Sequence, residues 1–572
     1  MEKLIKNKKY FEWLTIPGLL IAFLLPRLIG LAEFATLDEP YWLVSGSNFY
    51  YALGQRDFGN TVWDYHPAVT TMWIIAFVLM LYFPAYRGQG QGYFYLYKEW
   101  KYEAFLQEYG KHAVDILRYS RLVQVILLAI LFILLYWLMK KILDKRLTVA
   151  ALLFISFDPF FLGHSRLLTH EALLSLFLLV SLTSLAVYFY ADNKFGYVLL
   201  SAIAASLAQL TKSSGIVLFP VIFLMLIIKI WQERKSAPLI KTIFQQVKIL
   251  LIWLAILILT YFALWPAMWI KPEVLLREVY GNALSYAFKG ARLYTTQNLD
   301  NINFTLNTTG IWFYIEAMLW RTTPLMWLGL IASFFAIFKK DFLTNTGKLY
   351  VTFVTVMGIL MLLMFGVLRG RDSAHYVLLT YLAFDICAAL GLLALFDWIT
   401  KNKAHISNLV FALLLAIQSF FVFGFYPYYY TYYSPIMEAR KPGIQNGNFG
   451  YGEGLDLAAK YLNQKPNARS LTVFAYWGDG LFSYFSNSRT IMLVNNYYKP
   501  ELKKDLLADL HRSDYIVIYY QPQKSFKRVM NVVNALKPYP PEHVIWMNGI
   551  EYIRIYDIKI LPKEFFAALA NQ

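Results

Sequence analysis

The sequence predicts a polytopic α-helical membrane protein of about eleven transmembrane helices, with a small extracytoplasmic α/β domain at the C-terminus. Three observations predict it. Of the 572 residues, 58% are apolar and only 16% charged, whereas soluble domains carry roughly 25% charged residues. Apolar runs close to the length of a membrane span recur through the first 425 residues. After Phe425 the pattern changes to turn residues, charges and short β-rich runs.

The elements follow in order. The basic start MEKLIKNKKYFEW precedes an apolar run, 14–32, with no small-residue cleavage site behind it. It reads as a first span with a cytoplasmic N-terminus. Further spans are expected at 121–139, 148–163, 171–190, 197–210, 214–231, 248–269, 311–338, 348–368, 376–397 and 405–425. Runs near 20 residues cross about 30 Å of hydrocarbon; 197–210 is short and needs tilt, extension or flanking protein. With eleven spans, four basic clusters fall on one side, the cytoplasm. They are Lys140, Lys141, Lys145 and Arg146; Arg234, Lys235 and Lys241; Lys339 and Lys340; and Lys401 and Lys403. That parity keeps the apolar stretch 68–86 inside the first external loop, 33–120, lying in the interface or re-entering the membrane. The mixed stretch 87–118 then reads as an interfacial helix.

The expected division is a transmembrane domain over 1–425 and an extracytoplasmic α/β domain over 426–572. In the latter, LTVFAYW, TIMLV, YIVIYY and EYIRIYDI read as strands, and GEGLDLAAKYLNQ, ELKKDLLADLHR and FKRVMNVVNAL as helices. KPGIQNGNFG, 441–450, marks its edge. The expected location is a multi-pass chain in the cell membrane.

The formal net charge of +17 fits cytoplasmic loops and anionic membrane lipid. Nucleic acid is not an expected partner, because no zinc finger, RNA-binding signature or base-reading helix is present. A single cysteine, Cys387, excludes an intrachain disulfide and a cysteine-built zinc site. The phosphate loop and the dinucleotide turn are missing, so ATP-driven transport and nucleotide-cofactor redox chemistry lose their usual signatures.

Candidate chemistry gathers in the external loops. Asp38 and Glu39, in ATLDEPYW, form an adjacent acid pair that suits a general base and an acceptor holder. A solvated loop or a helix cap before Pro40 explains them as well. Nearby lie Tyr41, Trp42, Trp63, Asp64 and His66; the aromatics suit sugar stacking or lipid packing equally. The stretch DPFFLGHSRLLTHEALL, 158–174, adds Asp158, His164, Arg166, His170 and Glu171. Ionisable groups at a membrane edge are costly unless paired, hydrated or used. The guanidinium of Arg166 suits an oxyanion. The spacing matches no familiar metal set, although a divalent cation on Asp38, Glu171 and His170 stays open. Lys212, in QLTKSSG, sits on the side that disfavours lysine, where it either snorkels or binds a lipid phosphate. Arg369, Arg371, Asp372 and His375, in LRGRDSAHY, form a second basic external cluster that suits a bound anion or a self-paired loop.

Taken in order, these motifs resemble the GT-C superfamily of membrane glycosyltransferases. The bacterial protein O-mannosyltransferase-like branch and the lipid A aminoarabinose transferases are most similar. The resemblance is carried by LDEPYW (37–42), WDYHPAV (63–69), DPFFLGHSRLLTHEALL (158–174), LTKSSGIVLFP (210–220) and GRDSAHYVLLTYLAFDICAALGL (370–392). YYYTYYSPI followed by GYGEGLDLAAKYLN, within 428–463, extends it. The resemblance implies a GT-C fold, a polyprenyl-phosphate sugar donor, a protein, glycolipid or glycan acceptor, and an external site without a nucleotide cofactor. By resemblance Asp38 is the catalytic acid, Glu39 its neighbour in the acid pair, and Glu171 the second-loop acid, where relatives usually carry Asp. Lys212 and Arg371 match motifs that face the lipid phosphate, with His375 beside them, and His66 stands where relatives place His or Lys; Arg369 and Arg166 join the expected phosphate-binding set on their own charge and geometry. His66 is followed by one proline, Pro67, and then Ala68, where relatives place a second proline. Two other classes stay open: a transporter or flippase for lipid-linked sugar, and a non-catalytic assembly protein.

Overall fold

The computed structural model describes residues 2–96, 99–234, 238–289, 310–338, 342–368, 373–440, 451–493, 503–519 and 527–570. Arg369, Arg371, Asp372, Lys235, Lys339, Lys340 and the linker 441–450 lie outside the described residues.

Among the described residues, seven helices are long and apolar enough to cross a membrane. They are Ala113–Met139, His170–Tyr190, Ser213–Glu233 (which opens with a 3-10 turn), Leu239–Leu264, Asn345–Val367, Ala374–Ile399 and Ala404–Phe423. Lys145–Ser156 and Pro159–Ser165 together make an eighth, bent by 68°. The bend has a local cause: the Asp158 carboxylate accepts from the Phe161 N–H at 2.6 Å and starts a new helix, while Pro159 has no N–H to continue the old one. The span expected over 148–163 is therefore a broken one. The span expected over 311–338 also divides, into Ile311–Arg321 and Pro324–Phe338, because Pro324 disfavours helical backbone just before it.

Three shorter apolar helices, Leu14–Leu28, Phe195–Thr211 and Pro324–Ala336, fall on the remaining expected spans. A fourth, Val69–Tyr82, occupies the stretch assigned to the first external loop. Its 14 residues reach about 21 Å, short of the roughly 30 Å of a hydrocarbon core. The stretch 87–118 holds the helix Glu99–Glu108 and the first turns of Ala113–Met139, which begins earlier than the expected 121.

Burial orders the bundle. In His170–Tyr190 and Ala374–Ile399, 94% of the apolar window is buried, against 17% in Leu239–Leu264. The first two are inner helices; the third exposes Phe244, Leu251, Ile258 and Leu259, a face that requires an apolar solvent.

The C-terminal region carries a mixed sheet of β1 (Thr472–Ala475), β2 (Arg489–Met492), β3 (Tyr515–Tyr519), β4 (His543–Met547) and β5 (Ile550–Asp557), in the order β2-β1-β3-β5-β4. β1 lies parallel to β2 and β3, and β5 antiparallel to β3 and β4. Helices Leu455–Asn463, Lys503–His511 and Lys527–Leu536 fall within the three expected segments. β4 and the closing helix Lys563–Ala570 add to the expected set. This region presses on the segment 35–40. A Cβ at Gly480 would lie 2.3 Å from Pro40 Cγ, and one at Gly452 would lie 2.2 Å from the Ala35 carbonyl oxygen. Only glycine permits either approach.

Candidate active site

The two acids of LDEPYW have opposite surroundings. Glu39 is fully buried and accepts from Arg121 Nε at 2.7 Å and Nη2 at 2.5 Å, from the Thr36 N–H at 2.8 Å and hydroxyl at 2.7 Å, and from the Leu168 N–H at 2.7 Å. These donors use up the lone pairs of a carboxylate. Glu39 therefore ties the loop after Leu14–Leu28 to Ala113–Met139 and to the segment before His170. Asp38 occupies the N-cap position of Glu39–Gly54, yet its side chain makes no capping bond. Instead it accepts from the Tyr451 hydroxyl at 2.7 Å. Burial lifts its carboxyl above the ordinary range, against the opposing pull of His375, of the Tyr451 hydrogen bond and of Lys212.

The inner helices bring the remaining groups to the same place. Glu171 lies in the first turn of His170–Tyr190, and His375 begins Ala374–Ile399. Lys212 ends Phe195–Thr211 in an extended conformation before the 3-10 turn Ser213–Val217. Lys212 Nζ donates to Glu171 Oε1 at 2.8 Å and lies 4.1 Å from the centre of the Tyr376 ring. His375 Nε2 is 3.9 Å from the same Glu171 oxygen, and its Nδ1 is hydrogen-bonded to the Ser373 hydroxyl at 2.8 Å. The Tyr451 ring lies 5.6 Å from that of His375. Asp38, Tyr451, His375, Glu171 and Lys212 thus form one continuous cluster. It joins the loop before Glu39–Gly54, two inner helices, the end of Phe195–Thr211 and the C-terminal region. Tyr451 and Tyr376 were not singled out from the sequence; neither residue type signals charge chemistry on its own.

Other candidates stand apart. Arg166 is buried, donates to the Pro427 carbonyl at 3.1 Å and to the Ile29 carbonyl, and covers the Tyr426 and Tyr429 rings. Through two of its five N–H donors it ties these loops together. Asp158 is the helix cap described above. His66 lies against Tyr65, ring centres 4.1 Å apart and tilted by 42°, and Asp64 accepts from the Tyr41 hydroxyl at 2.8 Å. Ala68 has φ +51°, a left-handed value that a proline ring cannot adopt, so this loop cannot take a second proline in its present shape. Its N–H donates to the Thr211 carbonyl at 3.3 Å, seating the loop against Lys212. His170 binds the Thr71 hydroxyl through Nδ1 at 2.9 Å and packs on Trp42 at 4.2 Å. His164 is buried 5.3 Å from the His375 ring. Among the described residues no group of three His, Cys, Asp or Glu side chains gathers as a metal set, so Asp38, Glu171 and His170 do not form one. A separate cleft of about 280 Å³, lined by Glu33, Tyr426, Tyr428, Asp456 and Asn548 among others, contains none of the cluster residues.

Residues 115–269 match the family model for dolichyl-phosphate-mannose-protein mannosyltransferases. The match covers about a quarter of the chain and includes His170, Glu171 and Lys212. No curated protein matches by sequence. ArnT from Cupriavidus metallidurans, solved bound to undecaprenyl phosphate, shares the fold at a TM-score of 0.51 and 11% identity, covering 95% of this chain and 98% of that one. AglB, the oligosaccharyltransferase of Archaeoglobus fulgidus, solved with an inhibitory peptide and a dolichol-phosphate, overlaps less well, at a TM-score of 0.46 and 13% identity over 92% of this chain and 71% of its own. The S. cerevisiae protein O-mannosyltransferase complex Pmt1-Pmt2, bound to the sugar donor, gives a TM-score of 0.33 and 17% identity over 46% of this chain and 34% of its own. Of these three, ArnT alone overlaps at a TM-score above 0.5. Fold and matched segment together describe a polytopic membrane chain that shares the fold of ArnT and carries a segment similar to the dolichyl-phosphate-mannose-protein mannosyltransferases.

Proposed function

We propose that this chain transfers a sugar from a polyprenyl-phosphate donor to an acceptor hydroxyl on the extracytoplasmic face, inverting the anomeric centre. Asp38 accepts the hydroxyl proton while the acceptor oxygen bonds to C1 of the sugar. The bond from C1 to the phosphate oxygen breaks, and polyprenyl phosphate leaves with the electron pair. Lys212, oriented by Glu171, meets the negative charge of the leaving phosphate, with His375 beside it, by electrostatic preorganisation. Arg369 and Arg371 belong to the same proposed phosphate site by their motif.

The observation that carries this reading is the uncapped Asp38 carboxylate within electrostatic reach of the Lys212, Glu171 and His375 group. The family model, described by a lipid-phosphate sugar, and ArnT, solved with undecaprenyl phosphate, support the donor class. The sugar (mannose, aminoarabinose, galacturonic acid or another) and the acceptor (protein, lipid A or a cell-wall glycan) are a matter for assay. Purified protein is tested on a panel of polyprenyl-phosphate sugars and acceptors, with release of polyprenyl phosphate as the readout. Acceptor-dependent release in the wild type, absent in a folded Asp38→Asn variant, is expected. Release that does not depend on acceptor, or movement of intact donor across the bilayer without release, defeats the reading in favour of a flippase.

A further inference from the structure

The C-terminal region is more than an appendage, because it contributes a side chain to the cluster. Residues 451–454 form a strap against the loop before Glu39–Gly54. The Tyr451 carbonyl accepts from the Leu37 N–H at 3.0 Å, next to the residue whose carboxylate its hydroxyl reaches. Gly452, at φ +121°, lets the strap lie directly on the Ala35 carbonyl. The strap is also held from its own side. Glu453, buried, accepts from the Tyr451 N–H at 2.8 Å and from the Tyr430 hydroxyl at 3.3 Å, and its carbonyl accepts from Tyr519 of β3 at 3.2 Å. A tyrosine hydroxyl aimed in this way is fixed from the sheet through to the loop.

We propose that Tyr451 is a positioning residue for Asp38. Its hydroxyl holds the carboxylate in one orientation, and the C-terminal region thereby completes the active site. The proposal rests on the reading of Asp38 as the base. The physical reason is that a donor to a carboxylate favours the charged form, while the surrounding burial opposes it. The charged and titratable groups facing Asp38 are His375 and Glu171 from the two inner helices, Lys212 from the end of Phe195–Thr211, and Tyr451 from the strap. Of these, only Tyr451 bonds Asp38 directly among the described residues, so removing its hydroxyl changes one contact and leaves the other charges in place.

The test needs no substrate. Full-length protein in detergent is treated with dicyclohexylcarbodiimide, which reacts with protonated carboxyls, across a pH series, and labelling of Asp38 is read by peptide mass spectrometry with Asp38→Asn as blank. Tyr451→Phe removes only the hydroxyl. Its half-labelling point is expected to move up by about one pH unit, the scale of a charge-assisted hydrogen bond, with an unchanged melting temperature. Gly452→Ala is a second route, because it keeps the phenol but cannot keep the strap seated; its labelling point is expected to move the same way. An unchanged labelling point in either variant, once folded, overturns the proposal. The two readings fail separately: turnover by Asp38→Asn removes the base without touching this contact, whereas an unmoved titration removes the contact's role and leaves the base.

Discussion

Two buried ion pairs flank the start of the helix Glu39–Gly54, and they differ in how much of their bonding is used. In the pair Glu39 with Arg121, backbone and side-chain donors fill the carboxylate, and the guanidinium also donates to the Leu31 carbonyl at 2.6 Å. In the pair Glu171 with Lys212, the side chains share one hydrogen bond at 2.8 Å, with His375 at 3.9 Å and the Tyr376 ring beside the ammonium. The first pair is closed and fastens elements together. Among the described residues the second uses one of the three ammonium donors, which leaves the others for the phosphate of the proposed donor. Adjacent acids in the chain can therefore serve different ends, and bonding saturation separates them better than proximity in sequence.

The contrast can be broken from either side. Arg121→Leu leaves Glu39 buried and unpaired, which costs about 3–5 kcal/mol. A large fall in melting temperature in detergent is expected, and a near-normal melting point would show that the pair is not closed as described. Lys212→Ala acts on the open pair. Undecaprenyl phosphate, titrated against the protein in nanodiscs, should bind about ten- to a hundredfold more weakly, with a smaller thermal effect than Arg121→Leu; unaltered affinity would remove Lys212 from the phosphate site. Arg166→Lys sharpens the comparison. Losing a fork that binds two carbonyls should cost on the order of 1 kcal/mol of stability while leaving undecaprenyl phosphate affinity alone, and a tenfold loss of affinity would return Arg166 to the donor site. The smallest effect is in pH. A base must be ionised to act, and burial raises the Asp38 carboxyl, so the acid limb of transfer should lie above the ordinary carboxylate range. A limb at the value of a free aspartate would contradict that environment.

The sequence disclosed part of this arrangement. Acids in external loops and a lysine on the side that disfavours it single out Asp38, Glu171, Lys212 and His375, because ionisable groups at a membrane edge need a reason. It could not separate Asp38 from Glu39, since the partner Arg121 lies 82 residues away inside an apolar helix. Tyr451 stays hidden for a similar reason: it is one of 43 tyrosines and meets Asp38 across 413 residues. Asp158 and Arg166 read as site chemistry, but their local bonds, a helix cap and two carbonyls, account for them. In the fold, hydropathy located the long helices, while the breaks at Pro159 and Pro324 needed closer attention to proline. The β4–β5 hairpin is legible in the dipeptide Asn548-Gly549 after the short run HVIWM, a pair that favours tight turns and takes positive φ at both residues.

Acceptor-dependent release of polyprenyl phosphate by purified Asp38→Asn, compared with wild type at equal donor occupancy, tests the central claim most directly. Loss of release with donor binding and melting temperature unchanged is the predicted result. Release at the wild-type rate would contradict it.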